Sequence, residues 1–320
     1  MKKKLTINKL FKFIGNIIMV IAIVMIVRKL ISYEIDYSII FAKENILYFM
    51  GIIIIYSICV IFGGIPWKNI LNALYTSDIK YKDIIYIIVK ANILKYVPGN
   101  IFQYIGRNEL AIKKNMKHSE VAFATIIDVC WYVFSILLLV LIIAKNDMMS
   151  WLNQQRNVEI KLGIMIIIIV TIFTMIGMYY IKNKTNKFIR IIRKIRSFRF
   201  FKALLINFIF YSVMGFANAL MYMGIFTMIS GEWLTEGDAI ICIGAMLIAM
   251  VVGFIVPGAP GGMGVREAVS LFLLKGMIAE SVVVSGIVIM RVISIIGDIV
   301  SYFIVFIYER STGGKIFYEK

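Results

Sequence analysis

Three residue types are scarce in this 320-residue chain, which has 3 cysteines, 4 prolines and 1 histidine. Cys59, Cys130 and Cys242 each stand alone inside an apolar segment, which argues against a disulfide framework or a cysteine metal site and leaves them as small hydrophobes. His118 lies in a basic loop with no ligand partner at metal spacing, so neither a metal nor a cofactor is expected. Acidic residues are few as well, 18 against 35 Lys and Arg, for a net charge of +17. Polar sequence is the largest deficit: no polar block is long enough for a soluble domain, which confines any chemistry to the membrane or to short loops. No nucleophile–base pair and no carboxylate pair for acid–base work stands out. The glycines of GGMGVRE lack the GK[ST] ending of a phosphate-binding loop and follow no strand, so nucleotide binding is unsupported. The chain does not read as an enzyme.

What is abundant is hydrocarbon. Of the residues 61% are hydrophobic and the mean hydropathy is +0.89, with apolar runs of spanning length recurring along the whole chain. The expected fold is all-α, a polytopic membrane protein forming one integral membrane domain over residues 1–320. Six full spans are expected, near Phe13 to Val27, Ile46 to Ile65, Val121 to Ala144, Ile160 to Ile181, Leu204 to Ile229 and Val282 to Tyr308. Two further segments suit half-helices or re-entrant arms. One is Asp83 to Val97, which carries Lys90, Asn92 and Lys95; the other runs from Ala239 to Met277 through a Pro-Gly stretch. Trp67, just past Pro66, fits an interfacial anchor.

The lysines of MKKKLTINKLFKF place the N-terminus in the cytoplasm as part of an uncleaved first span. Residues 182–202 are strongly basic, either a cytoplasmic topological anchor or an interfacial helix on anionic lipid, whereas GEWLTEGD has three acidic residues and no Lys or Arg, as expected outside. Positive-inside topology accounts for the net charge without nucleic acid. Both termini are cytoplasmic if the run from Ala239 to Met277 enters and leaves from outside; otherwise one or both broken segments cross, giving seven or eight spans.

The two broken segments share a pattern. Val97-Pro98-Gly99 is echoed by Val256-Pro257-Gly258, and Arg107 follows Pro98 by the same nine residues that separate Arg266 from Pro257. Gly106 and Gly264 lie just before these arginines, Glu109 and Glu267 just after. Pro98, Gly99, Pro257, Gly258, Pro260, Gly261, Gly262 and Gly264 are thus the expected helix-break residues. One arm entering from each side is the arrangement of an inverted repeat, here about 46–144 and 204–308, with substrate bound between the halves near the midplane.

Ionisable residues inside spans mark the candidate site, since a charge at a helix centre costs about 2.5–3.5 kcal/mol even on insertion scales. Arg291, Ser294, Asp298 and Ser301 line one helical face, and Thr125, Asp128, Tyr132 and Ser135 another. They are either polar glue between helices or the wall of a wet cavity. Asn207, Tyr211, Asn218 and Tyr222 form a looser third stripe that reads as packing. Arg107 and Arg266 suit phosphate contact, with the start of the helix near Val265 adding its dipole. The competing pattern pairs Arg266 with Asp298, or Arg107 with Asp128. Glu109 and Glu267 either balance the arginines or face a cationic head group. The candidate substrate-binding set is therefore Arg107, Glu109, Asp128, Arg266, Glu267, Arg291 and Asp298.

PGGMGVRE at Pro260 to Glu267, with KYVPGN at Lys95 to Asn100 and Gly106-Arg107, resembles the transmembrane region of lysylphosphatidylglycerol synthases and the flippase-like proteins related to it. The resemblance runs from the first span to the last and implies a lipid-translocating domain in the bacterial cytoplasmic membrane. The family's bifunctional members carry a cytosolic synthase domain as well. This chain ends soon after its last span, so lipid synthesis is not expected of it. The implied substrates are anionic or aminoacylated phospholipids, or polyprenyl-phosphate-linked glycan intermediates. The alternative is a non-transporting partner or scaffold of a membrane glycosyltransferase or aminoacyl-lipid synthase.

Overall fold

A computed structural model describes residues 42–75, 79–96, 102–143, 195–255, 262 and 264–311, and every regular element among them is helical. The expected spans at 13–27 and 160–181, the basic segment up to residue 194, and Pro98, Gly99, Pro257, Gly258, Pro260 and Gly261 lie outside the described residues. In chain order the helices are α1 (Lys43–Phe62), α2 (Ile65–Tyr75), α3 (Tyr81–Asn92), a 3-10 turn (Ile93–Tyr96), α4 (Phe102–Ile112), α5 (His118–Ile143), α6 (Phe198–Ser230), α7 (Glu236–Ile255), α8 (Val265–Leu273) and α9 (Glu280–Ser311). The Ser197 side chain caps α6 by accepting from the Phe200 N–H, so this helix starts inside the basic stretch, one and a half turns before the expected span.

Five described segments are long and apolar enough to cross a membrane: Asn45–Tyr75, which joins α1 and α2, then α5, α6, α7 and α9. Four of them correspond to expected full spans. The fifth, α7, is the first part of the broken segment expected from Ala239 to Met277 and runs for 20 residues, about 30 Å at 1.5 Å per residue, which is the length needed for the crossing that stood as the alternative. By contrast α3, α4 and α8, at 12, 11 and 9 residues, are far too short to cross.

Two arms result, α3–α4 and α7–α8, and the legs of each pack on one another. The first leg of the first arm, α3, lies against α9 and its second leg, α4, against α5. The first leg of the second arm, α7, lies against α5 and its second leg, α8, against α9.

The apolar interior divides between the arms. One core gathers Trp67, Leu71, Leu74, Ile84 and Ile87 of α2 and α3, with Val121 and Ala124 of α5, Phe200 of α6 and Val305 of α9. The other gathers Met246 and Leu247 of α7 and Leu273 of α8, with Ile136 of α5, Ile225 of α6 and Ile287 of α9. Opposite ends of the same three long helices therefore serve the two cores. Between them each long helix turns polar, with Thr125, Asp128 and Tyr132 on α5, Asn207 and Tyr211 on α6, and Ser294, Asp298 and Ser301 on α9. Trp67 is not an interfacial anchor: it is 0% exposed and its Nε1 donates to Thr125 Oγ1 at 3.1 Å. An indole beside a buried hydroxyl gains both a partner and the packing of its rings, which outweighs a place at the membrane boundary.

Candidate functional site

The polar layer holds three buried carboxylates, and each is answered by a cation. Asp128 on α5 pairs with Arg107 of α4 at 3.0 Å and accepts a second bond from the Tyr211 hydroxyl of α6. Asp298 on α9 pairs with Lys95, in the turn after α3, at 2.6 Å, and also accepts from Asn92 Nδ2 at 2.7 Å and from the Tyr96 hydroxyl. Glu267 of α8 pairs with Arg291 of α9 at 2.9 Å, and its other oxygen accepts the Gly264 N–H at 2.7 Å. Buried charges persist only when paired and hydrogen-bonded in this way.

Arg266 is the exception. No carboxylate partners it among the described residues: its guanidinium donates to the Tyr222 hydroxyl instead, and its Nε, like those of Arg107 and Arg291, is buried without a partner. Its surroundings are the phenols of Tyr222, Tyr132 and Tyr56, with the Arg291 guanidinium near enough to repel it. Among the described residues of the polar layer four cations, Lys95, Arg107, Arg266 and Arg291, thus face three carboxylates, which leaves one positive charge at Arg266; buried Lys68, outside the layer, lies instead over the Tyr81 ring.

Backbone built from glycine makes room for this side chain. A Cβ on Gly253, in the last turns of α7, would lie 2.5 Å from Arg266 Cγ. Gly262 has φ +75°, a left-handed conformation, and a Cβ there would lie 2.6 Å from the Gly253 carbonyl oxygen. Arg291 fixes the same stretch by donating to the Gly262 carbonyl at 3.3 Å.

Beside Arg107 lies a cavity of about 200 Å³, whose walls include Asn92, Gln103, Asp128, Tyr132, Tyr211 and Phe254. Arg107 itself is held over the rings of Trp67 and Tyr104, at 5.3 and 5.6 Å. Phe254 meets Tyr104 and Tyr132 edge-on, with centroids 6.2 and 5.1 Å apart. Tyr132 is the link between the two halves of the layer, lining this cavity and lying in the field of Arg266.

The candidate residues therefore separate. Arg107 and Asp128 form the structural pair that stood as one alternative; Arg266 with Asp298 does not form, because Lys95 takes Asp298. Arg107 and Arg266 are not equivalent prongs: the first is neutralised, the second is not. The start of α8 is no open anion site either, since Glu267 folds back onto its own helix start. Glu109 is exposed and lines a different groove of about 570 Å³ with Lys90, Phe102, Ile105 and Tyr302, away from the polar layer. The serines of the stripes act as glue: Ser301 bonds the Ser57 and Gly297 carbonyls, Ser57 bonds the Gly297 carbonyl, and Ser294 and Ser135 bond back within their own helices. Asn207 ties α6 to α2 through Asn69 and the Pro66 carbonyl, the packing role expected of it.

Tyr56, Tyr96, Tyr211 and Tyr222 belong to the layer although nothing in the sequence singled them out as site residues. Lys95 and Asn92 stood out only as polar residues in a short apolar run, and that was the available signal. No family model, no curated protein and no solved structure matches this chain.

Proposed function

We propose that this is a flippase-like membrane protein that carries a phospholipid or lipid-linked intermediate between leaflets, with Arg266 receiving the lipid phosphate. One observation carries the reading: within the polar layer Arg266 has no carboxylate among the described residues, whereas Lys95, Arg107 and Arg291 each have one. A desolvated guanidinium stays charged and offers a planar fork matched to phosphate oxygens. A phosphate beside it balances the charge that no carboxylate among the described residues meets.

The packing supports an inverted repeat behind this site. Exchanging α1–α2 with α6, α3 with α7, α4 with α8 and α5 with α9 turns the principal helix contacts into one another. Contacts of α3 with α9 become those of α7 with α5, and contacts of α4 with α5 become those of α8 with α9. The arms belong to cores at opposite ends of the long helices, in keeping with access from alternate sides. Both arms are tied to α9, the first through Lys95–Asp298 and the second through Glu267–Arg291, two turns apart on that helix. Opening either arm means loosening a buried ion pair, so an arriving phosphate that competes for Arg291 or Arg266 biases the second tie. The motif resemblance to lipid-translocating domains points to the same activity.

The test is reconstitution in liposomes with fluorescent phospholipids and a membrane-impermeant quencher, comparing the protein with its Arg266→Ala and Arg266→Lys variants. Transport by the parent, lost with alanine and partly kept with lysine, is the expected result. Equal rates in all three remove Arg266 from the mechanism. A parent protein no faster than empty liposomes removes transport itself and leaves the non-transporting membrane partner as the function.

A further inference from the structure

We infer that the cavity beside Arg107 receives an uncharged, hydroxyl-bearing head group, such as a glycerol, an inositol or a single sugar, attached to the phosphate held at Arg266. This rests on the phosphate assignment above and goes further, because it names the chemistry on the far side of that phosphate.

Charge decides first. An ammonium head group buried here needs an uncommitted carboxylate to balance its charge. Asp128 already holds Arg107 and the Tyr211 hydroxyl, and the Arg107 guanidinium already lies over the rings of Trp67 and Tyr104. A second anionic group meets the opposite obstacle, because the one cation in the wall is neutralised by Asp128. The cavity is therefore electrically balanced and favours a neutral occupant.

Its walls then specify what kind of neutral occupant. Side chains of Asn92, Gln103 and Tyr104 stand among the rings of Tyr132, Tyr211 and Phe254. Planar amides and phenols bond adjacent hydroxyls while ring faces cover C–H edges, so a polyol is matched on both counts and an alkyl group on only one. The Tyr104 hydroxyl is buried with no hydrogen bond of normal geometry, although the Gln103 side chain lies close by. Such a group is costly to leave unmade, and a small turn of the Tyr104 ring toward the cavity it lines lets an incoming hydroxyl satisfy it. Size agrees: about 200 Å³ is below the roughly 300–1,000 Å³ of sites that enclose a whole drug-sized ligand, so it suits a head group whose chains remain outside. Position agrees as well, since Phe254 of this wall follows Gly253, whose Cβ would lie 2.5 Å from Arg266 Cγ.

The experiment is lipid binding to the purified detergent-solubilised protein by native mass spectrometry, with phosphatidylglycerol, phosphatidylinositol, phosphatidylethanolamine and phosphatidic acid. Polyprenyl phosphate with and without one hexose forms a second arm that identifies the carrier. Phosphatidylglycerol or phosphatidylinositol, or the hexose-bearing polyprenyl phosphate, is expected to bind at least about 5-fold tighter than its counterpart without the hydroxylated group. Tyr104→Phe and Gln103→Ala are expected to reduce that preference several-fold and to leave binding of phosphatidic acid unchanged. Tighter binding of phosphatidylethanolamine, equal binding of all lipids, or a preference untouched by both variants overturns the assignment. Arg266→Ala separates the two claims: a uniform loss across all phosphate-bearing lipids upholds the phosphate site whatever the head-group result, and no loss refutes that site alone.

Discussion

The two arms carry the same Val-Pro-Gly start and an arginine nine residues after its proline, and solve the problem of buried charge in opposite ways. The first arm brings cations, Lys95 and Arg107, to carboxylates waiting on long helices, Asp298 on α9 and Asp128 on α5. In the second arm the roles reverse, with Glu267 supplied by the arm and Arg291 by α9. That reversal is what leaves Arg266 over. The cause is a shift of one position: Glu109 follows Arg107 by two residues, Glu267 follows Arg266 by one. At 3.6 residues per turn, two positions is about 200° around the helix and one is about 100°. Glu109 therefore leaves the polar layer for an outer groove, while Glu267 stays inside and takes the cation of α9.

If the acids hold the arms and Arg266 does not, their removal has the largest effect on stability. Asp128→Asn, Asp298→Asn and Glu267→Gln each strand a buried cation, and each is expected to cost about 3–5 kcal/mol, read as a large drop in the thermal unfolding midpoint in detergent. Replacing both members of one pair, Lys95→Met with Asp298→Leu, is expected to recover part of the loss, since Asn92 and Tyr96 still lose their acceptor. A double variant as unstable as the single one contradicts the account of the pair.

An intermediate effect is expected where Arg266 is accommodated. Gly253→Ala sets a methyl 2.5 Å from Arg266 Cγ, an overpacking that typically costs about 1–3 kcal/mol. Because the obstructing group is a flexible side chain, part of the strain goes into moving the guanidinium, so lipid-phosphate binding should fall along with stability. Loss of stability with binding intact argues against Arg266 as the phosphate contact. Arg266→Met is expected to behave in the opposite sense: binding falls while the unfolding midpoint holds or rises, since an uncompensated buried charge is removed. A midpoint as low as that of Asp128→Asn means that Arg266 has a structural partner after all.

Much of the architecture is legible from periodicity and length. Apolar runs give the long helices, and the polar residues inside Asp83 to Val97 mark a segment too short to cross. In the second arm the acidic start at Glu236 and Asp238 places the beginning of α7 three residues before the apolar run that opens at Ala239. Pairings are harder. Asn92 meets Asp298 across 206 residues, and no spacing rule selects Lys95 over Arg266 as the partner of that carboxylate. Trp67 was misassigned for a related reason: its place after Pro66 looks like a membrane boundary, whereas the partner that buries it, Thr125, lies 58 residues on. Tyr222 was grouped with packing residues because a lone tyrosine on a long helix carries no mark of the arginine it faces.

The smallest effect tests the comparison most directly, because it concerns the residue that the repeat makes look equivalent to Glu267. Glu109→Gln removes a charge from an exposed position outside the polar layer, where substitutions usually stay within about 0.5 kcal/mol. Neither the unfolding midpoint nor lipid-phosphate binding is expected to change, against the several kcal/mol expected for Glu267→Gln. Comparable losses at the two positions mean that the acids play matching parts in the two halves, and the charge reversal then ceases to explain why Arg266 stands alone. A silent Glu109→Gln beside a damaging Glu267→Gln instead ties the surplus cation to the one-residue offset between the arms.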